Sequence, residues 1–312
     1  MISINSISHI KKIGLIIFLI SSFTHVMAQQ MPTYSEYMLN GFIYNPAMTA
    51  TEEYSIFNLT AREQWVHFDY APSTYWANFQ MRLKDFKRVG LGATIYTDQD
   101  GLLNSTGGEF SYSYHLPINK NKLSLGLALS FYQLRFNQSG VIANDMSDPF
   151  FSSSNNRFFA PDFNVGALYS TNKFIVGLSA DQLTQAAARF NNSIIQGNQR
   201  CYYLFASTHF KVNQNLKVEP SVLVKSGDNL QAEADLTAKL TYKGVTWYGL
   251  TIRTNGDFVL FAGINLKQRM IIGYAFDYPL SDLRFNNYGS HELCFSILFG
   301  NETIRLPNQG VY

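Results

Sequence analysis

From about residue 54 onward, apolar residues recur at every second position. The stretches run about nine to eleven residues, the length a tilted strand needs to cross a bilayer. The clearest stretch sets Leu230, Ala232, Ala234, Leu236, Ala238, Leu240 and Tyr242 against Gln231, Glu233, Asp235, Thr237, Lys239 and Thr241. From Leu123 to Phe131 the partners of the leucines are Ser124, Gly126, Ala128 and Ser130, and Lys217 and Glu219 alternate with Leu216, Val218, Val222 and Val224. One face is apolar and the other polar, which suits a strand with lipid outside and a wet lumen inside. A soluble sandwich would reverse the faces, so a single strand leaves that choice open.

The pattern yields fourteen segments, at 54–62, 73–83, 89–98, 105–115, 123–135, 163–170, 174–181, 200–210, 216–225, 230–242, 245–254, 258–266, 269–277 and 291–299. Connections after the even-numbered segments are short, whereas 63–72, 136–162, 182–199 and 278–290 are long. That sidedness, short turns at one end and long loops at the other, predicts an all-β transmembrane antiparallel β-barrel of about 14 strands over residues 54–299. Its termini are expected to be periplasmic and its long loops extracellular. Asn255-Gly256-Asp257 reads as a tight hairpin turn. Pro220 lacks the N–H that a closed sheet demands, so a bulge is expected there.

Residues 1–28 carry Lys11 and Lys12, then an apolar run from Ile13 to Ile20, then Val26-Met27-Ala28. This is the order of a secretory signal peptide cleaved after Ala28, and the run is too short to span a membrane as a helix. Removing the leader with its two lysines leaves 22 basic and 22 acidic residues, a balance that excludes global attraction to nucleic acid. Charged residues make up 15% of the chain and aromatic residues another 15%. The charged share is well below the roughly 25% of soluble domains, so something other than water covers much of the surface. Cys201 and Cys294 read as two buried or lumenal thiols, too few for a disulfide framework.

The alternation puts Gly90, Gly92, Gly126, Gly166, Gly177, Gly249, Gly263 and Gly273 on the lumen face. Glycine weakens a strand, so its repetition on one face suggests the close approach of another backbone, the alternative being relief of barrel curvature. A barrel of this size has room for a polypeptide. Residues 29–53 are expected to form a periplasmic or plug segment, because Tyr34, Tyr37, Met38, Leu39, Phe42, Ile43 and Tyr44 are too apolar for a free tail.

The same segment reads Pro32, then Tyr34-Ser35-Glu36-Tyr37, Asn40 and Asn45-Pro46-Ala47. Further along come Pro220 to Lys225, Gly273 to Tyr278 with Asp277-Tyr278, Leu280-Ser281-Asp282-Leu283 and Gly289-Ser290-His291-Glu292. In this order the motifs resemble the PorP/SprF family of type IX secretion and gliding proteins. Family chains usually stop at the aromatic residue that ends the last strand, here Phe299, whereas this chain continues as a tail over 300–312. The resemblance implies an outer-membrane protein that serves one large exported surface protein or adhesin, often bearing a type B C-terminal sorting domain, alongside other type IX secretion components. Outer-membrane lipid is the expected surrounding.

Candidate chemistry is sparse. Ser290 and His291 would point to opposite faces of a strand and cannot pair as nucleophile and base. The Asp98-Gln99-Asp100-Gly101 run lacks the glutamate that closes a calcium loop, and Asp145 and Asp148 are weaker still. No catalytic residue, cofactor or metal is expected. The partner-binding candidates are Phe150, Phe151, Phe158 and Phe159 in a long loop, with Asp282, His291 and Glu292 at the rim. Apolar residues in an exposed loop call for a contact that buries them. A nutrient channel is the alternative reading, and a barrel lipase a remoter one.

Overall fold

A computed structural model describes residues 33–52, 54–136, 157–185, 188–190, 193–195, 199–228, 230–267, 269–281, 285 and 287–300. The proposed leader, Phe150, Phe151, Asp145, Asp148, Asp282 and residues 301–312 lie outside them. The barrel strands are β1 (Ser55–Glu63), β2 (Ser73–Arg82), β3 (Val89–Asp100), β4 (Leu103–Ile118), β5 (Asn121–Phe136), β6 (Arg157–Ser170) and β7 (Phe174–Asp181). They continue as β8 (Cys201–Thr208), β9 (Leu216–Gly227), β10 (Leu230–Tyr242), β11 (Thr246–Arg253), β12 (Asp257–Leu266), β13 (Met270–Pro279) and β14 (Ser290–Phe299). Each pairs antiparallel with its sequence neighbours. β1 pairs with β14 from Ser55 opposite Phe299 to Glu63 opposite His291, which closes the 14-strand barrel and leaves no edge.

Burial settles which face meets lipid. On β10, Leu236 is 56% exposed while Asp235 is fully buried, and Leu240 and Tyr242 point outward while Thr237, Lys239 and Thr241 are buried. On β5, Leu125, Leu127 and Leu129 are exposed, and Ser124 and Ala128 are buried. An apolar wall around a polar interior suits a membrane barrel and would be unstable in water. A membrane is therefore where this wall is at home.

The strand ends differ from the sequence expectation in two places. First, β5 and β6 stay paired as far as Arg135 opposite Arg157, so Phe158 and Phe159 belong to a strand and not to a loop. Pro161 hid this in the sequence, but its missing N–H is tolerated because the β6–β7 ladder begins only at Val165. Second, Pro220 makes no bulge. Its register with β10 is regular, Pro220 facing Ala238, and the irregularity falls instead at Lys225/Gly227. On the other side the β8 ladder stops at Ser207 opposite Ser221 and resumes at Phe210 opposite Val218, so no partner asks Pro220 for a proton.

Ser55 and Phe299 lie together at the end of the barrel that carries the short turns, as an even strand count requires. Upstream of β1, however, the described chain does not trail from that end. Its residues occupy the lumen, and Ser35 lies beside Arg62, Asp277 and Arg253, all close to strand ends that face the longer connections.

Candidate functional site

Residues 33–52 form an irregular inner segment with two short 3-10 turns, Gly41–Ile43 and Pro46–Met48. The second turn is built by its sequence. The Asn45 side chain accepts from the Ala47 N–H at 2.8 Å, and Pro46 occupies the first turn position, where a missing N–H costs nothing. The same Asn45 amide donates to the carbonyls of Ala167 on β6 at 3.2 Å and Leu178 on β7 at 3.1 Å. One side chain thus caps the turn and ties it to two strands.

The wall receives the segment at its glycines. A Cβ at Gly126 would collide with the backbone of Pro46 and Ala47, and one at Gly273 with the Glu36 carboxylate. Gly166 and Gly177 give way to Asn45, and Gly92 to Phe42. Gly249 and Gly263 instead make room for Phe261 and Trp247 of the wall itself, so the packing of those rings explains the two.

The inner segment runs from one end of the lumen to the other. Toward the turn end, Ala50 N–H donates to Gln80 and the Ala50 and Thr51 carbonyls accept from Arg82. Midway, the Tyr37 hydroxyl meets Ser221 and Thr237, and Tyr34, Tyr37 and Tyr44 pack with Tyr203 and Leu223. A gap lined by Tyr37, Tyr44, Tyr203 and Leu223 measures about 20 Å³, roughly one water molecule. The Asn40 side-chain amide is buried without a hydrogen-bond partner among the described residues, an arrangement the local geometry does not explain.

At the loop end the segment meets a buried charge cluster. The Ser35 hydroxyl donates to Asp277 at 2.6 Å and accepts from Arg62 at 2.8 Å and Arg253 at 2.9 Å. Arg62 and Arg253 both donate to Asp277, at 2.6 and 2.7 Å. Glu292 accepts from the backbone N–H groups of Ser35 and Glu36, at 2.8 and 2.9 Å, and from Arg62 at 3.1 Å. Arg62, Arg253, Asp277 and Glu292 are each no more than 2% exposed. Charges so buried are tolerable only when fully paired, which ties Ser35 to one position. In the inner segment, outside the spanning strands, burial and then the Glu292 carboxylate push the Glu36 carboxyl well above its ordinary range.

Of the sequence-predicted residues, Tyr34, Tyr37, Asn40, Asn45, Pro46, Ala47 and Asp277 converge in the lumen, whereas Tyr278 faces outward. The rim candidates separate. Glu292 holds the inner segment, while His291 lies on the outer wall, its Nδ1 2.7 Å from the Tyr274 hydroxyl. Phe159 is 63% exposed on the outer wall. It lines an apolar depression of about 920 Å³ with Ile95, Phe131, Leu293 and Phe295. Arg62 and Arg253 were missed by sequence reasoning, and Ser35 was named only within the family motif. The signal available was the parity of Arg62 and Arg253, which places a charge on the inward face of a membrane strand.

A family model, Type IX secretion system membrane protein PorP/SprF, matches residues 26–297. The chain belongs to the PorP/SprF family. No curated protein matches it. Among solved structures it is similar to the Acinetobacter baumannii outer membrane protein Omp33, at 7% identity and a TM-score of 0.49, over 79% of this chain and 99% of that one. It is also similar to the TodX deltaS2S3 mutant monoaromatic hydrocarbon channel, at 10% identity and a TM-score of 0.46, over 86% and 94%. In this PorP/SprF chain, the signature residues of the N-terminal segment are those that fill the lumen.

Proposed function

We propose that this PorP/SprF protein is a non-enzymatic outer-membrane barrel that binds one specific surface protein, of the kind carrying a type B C-terminal sorting domain. It supports the export or surface anchoring of that partner, together with other type IX secretion components. Family membership supplies the pathway. The observation that carries the reading is the filled lumen. Ala47 and Thr49 are fully buried and Phe42 nearly so, against β3, β4 and β5, whereas Ser35 and Glu36 meet β11, β13 and β14 on the other side of the barrel. A nutrient channel needs an open path, and a segment seated on the wall glycines leaves little. The long connections, with Phe150 and Phe151 in one of them, are then the natural surface for the partner, since binding residues concentrate in loops on a rigid scaffold.

Deletion of the gene with quantitative surface proteomics tests this. One surface protein, or a small set, should disappear from the cell exterior while other type IX cargo persists. Uniform loss of cargo points to a core translocon part, and unchanged cargo with a conducting purified barrel points to a channel.

A further inference from the structure

Glu36 presents an unusual problem. Its carboxylate is 2% exposed, and no hydrogen bond of ordinary geometry reaches either oxygen, the Cys294 thiol and the Trp247 indole being the donors beside it. A buried carboxylate so poorly partnered is strongly unfavourable. It is aimed between Glu292, which is 1% exposed, and Cys294, which is 5% exposed, both on β14. One ligand atom from each of the three residues lies within 4.8 Å of the other two.

We propose that Glu36, Glu292 and Cys294 bind a divalent metal ion, zinc by the chemistry of the donors, which fastens the inner segment to the barrel wall. A thiolate with two carboxylates suits a borderline-soft cation, whereas calcium and magnesium take oxygen donors alone. Tetrahedral zinc holds such donors about 3.3–3.5 Å apart, so the three groups close in by no more than about 1.5 Å on binding. Binding displaces the proton of the Cys294 thiol, and that of Glu36 where it carries one, into solvent; the metal–sulfur bond replaces S–H with no change of oxidation state. The outer contacts are already set. Arg62 at 3.1 Å and the Ser35 and Glu36 N–H groups orient Glu292, and the Thr60 hydroxyl lies 3.6 Å from the Cys294 sulfur. Gly273 leaves the space into which the Glu36 carboxylate fits. The site exists only when the inner segment is seated, because one of its three ligands comes from that segment.

The test uses the full barrel purified in detergent without chelators, passed over a metal-scavenging resin and analysed by elemental mass spectrometry. About one zinc per chain is expected, falling below about a tenth in Cys294→Ser and in Glu36→Gln, while Cys201→Ser keeps it. Folding of each variant is checked by the heat-dependent gel mobility of closed barrels. Should a variant not fold, cobalt-exchanged wild-type protein still decides the matter, because a thiolate ligand gives near-ultraviolet charge-transfer absorption. Wild-type barrel without stoichiometric metal, or metal undiminished in both folded variants, overturns the proposal.

Discussion

The Ser35 hydroxyl and the Asp277 carboxylate lie 2.6 Å apart although 242 residues separate them in sequence. Their contact joins the start of the inner segment to the penultimate strand of the barrel. It also brings Arg62 and Arg253 onto the same carboxylate. Removing one member of such a cluster leaves the others buried without their counter-charge.

Asp277→Asn is therefore expected to destabilise the folded barrel by about 3–5 kcal/mol, because two buried guanidinium groups lose their shared anion. Urea unfolding in detergent, read by tryptophan fluorescence, measures it. A change within about 0.5 kcal/mol, the range of ordinary surface substitutions, would mean that the cluster does not hold the fold.

Gly126→Val places a branched side chain where Pro46 and Ala47 now touch the wall. The expected result is a barrel that still closes but whose inner segment is dislodged. Limited proteolysis should cut within residues 33–52 at least about tenfold faster than in wild type, since local opening by 1.4 kcal/mol raises the open population by that factor. Leu127→Val on the lipid face is the control. Equal cleavage rates for the three proteins would show that Gly126 does not seat the segment.

The same variant distinguishes a plug from a lining. Wild-type barrel in planar bilayers should show little steady conductance, and Gly126→Val frequent openings. If both conduct equally, the inner segment does not block the path.

Sidedness is read with impermeant maleimide on intact cells, where the native cysteines do not interfere because both are buried. A cysteine replacing the exposed Asn255, at the loop end, should label, and one replacing the exposed Lys120, at the turn end, should not. An epitope placed ahead of Thr33 should follow Asn255, and one after Phe299 should follow Lys120. Labelling of Lys120→Cys alone inverts the barrel, and an N-terminal epitope that follows Lys120 contradicts the course of the inner segment.

The sequence by itself determined the barrel. A period of two sustained over fourteen segments, with long connections at one end only, has few other solutions once the backbone must pair fully inside lipid. It also marked the lumen glycines and the aromatic content of residues 29–47, because both are local properties of composition and parity. Only the tertiary structure decided which backbone approaches those glycines, that the inner segment runs the length of the lumen, and that His291 and Glu292 serve opposite faces. It alone brought Glu36 to Glu292 and Cys294, and Ser35 to Arg62, Arg253 and Asp277. The inner segment and its partners on the wall lie far apart in sequence, and they meet only because β1 pairs with β14 and the closed wall turns its polar face inward around one enclosed segment. A pattern of polar alternation states that a charge faces inward; which other charge it meets depends on barrel closure and register, and those are set by pairing across the whole chain.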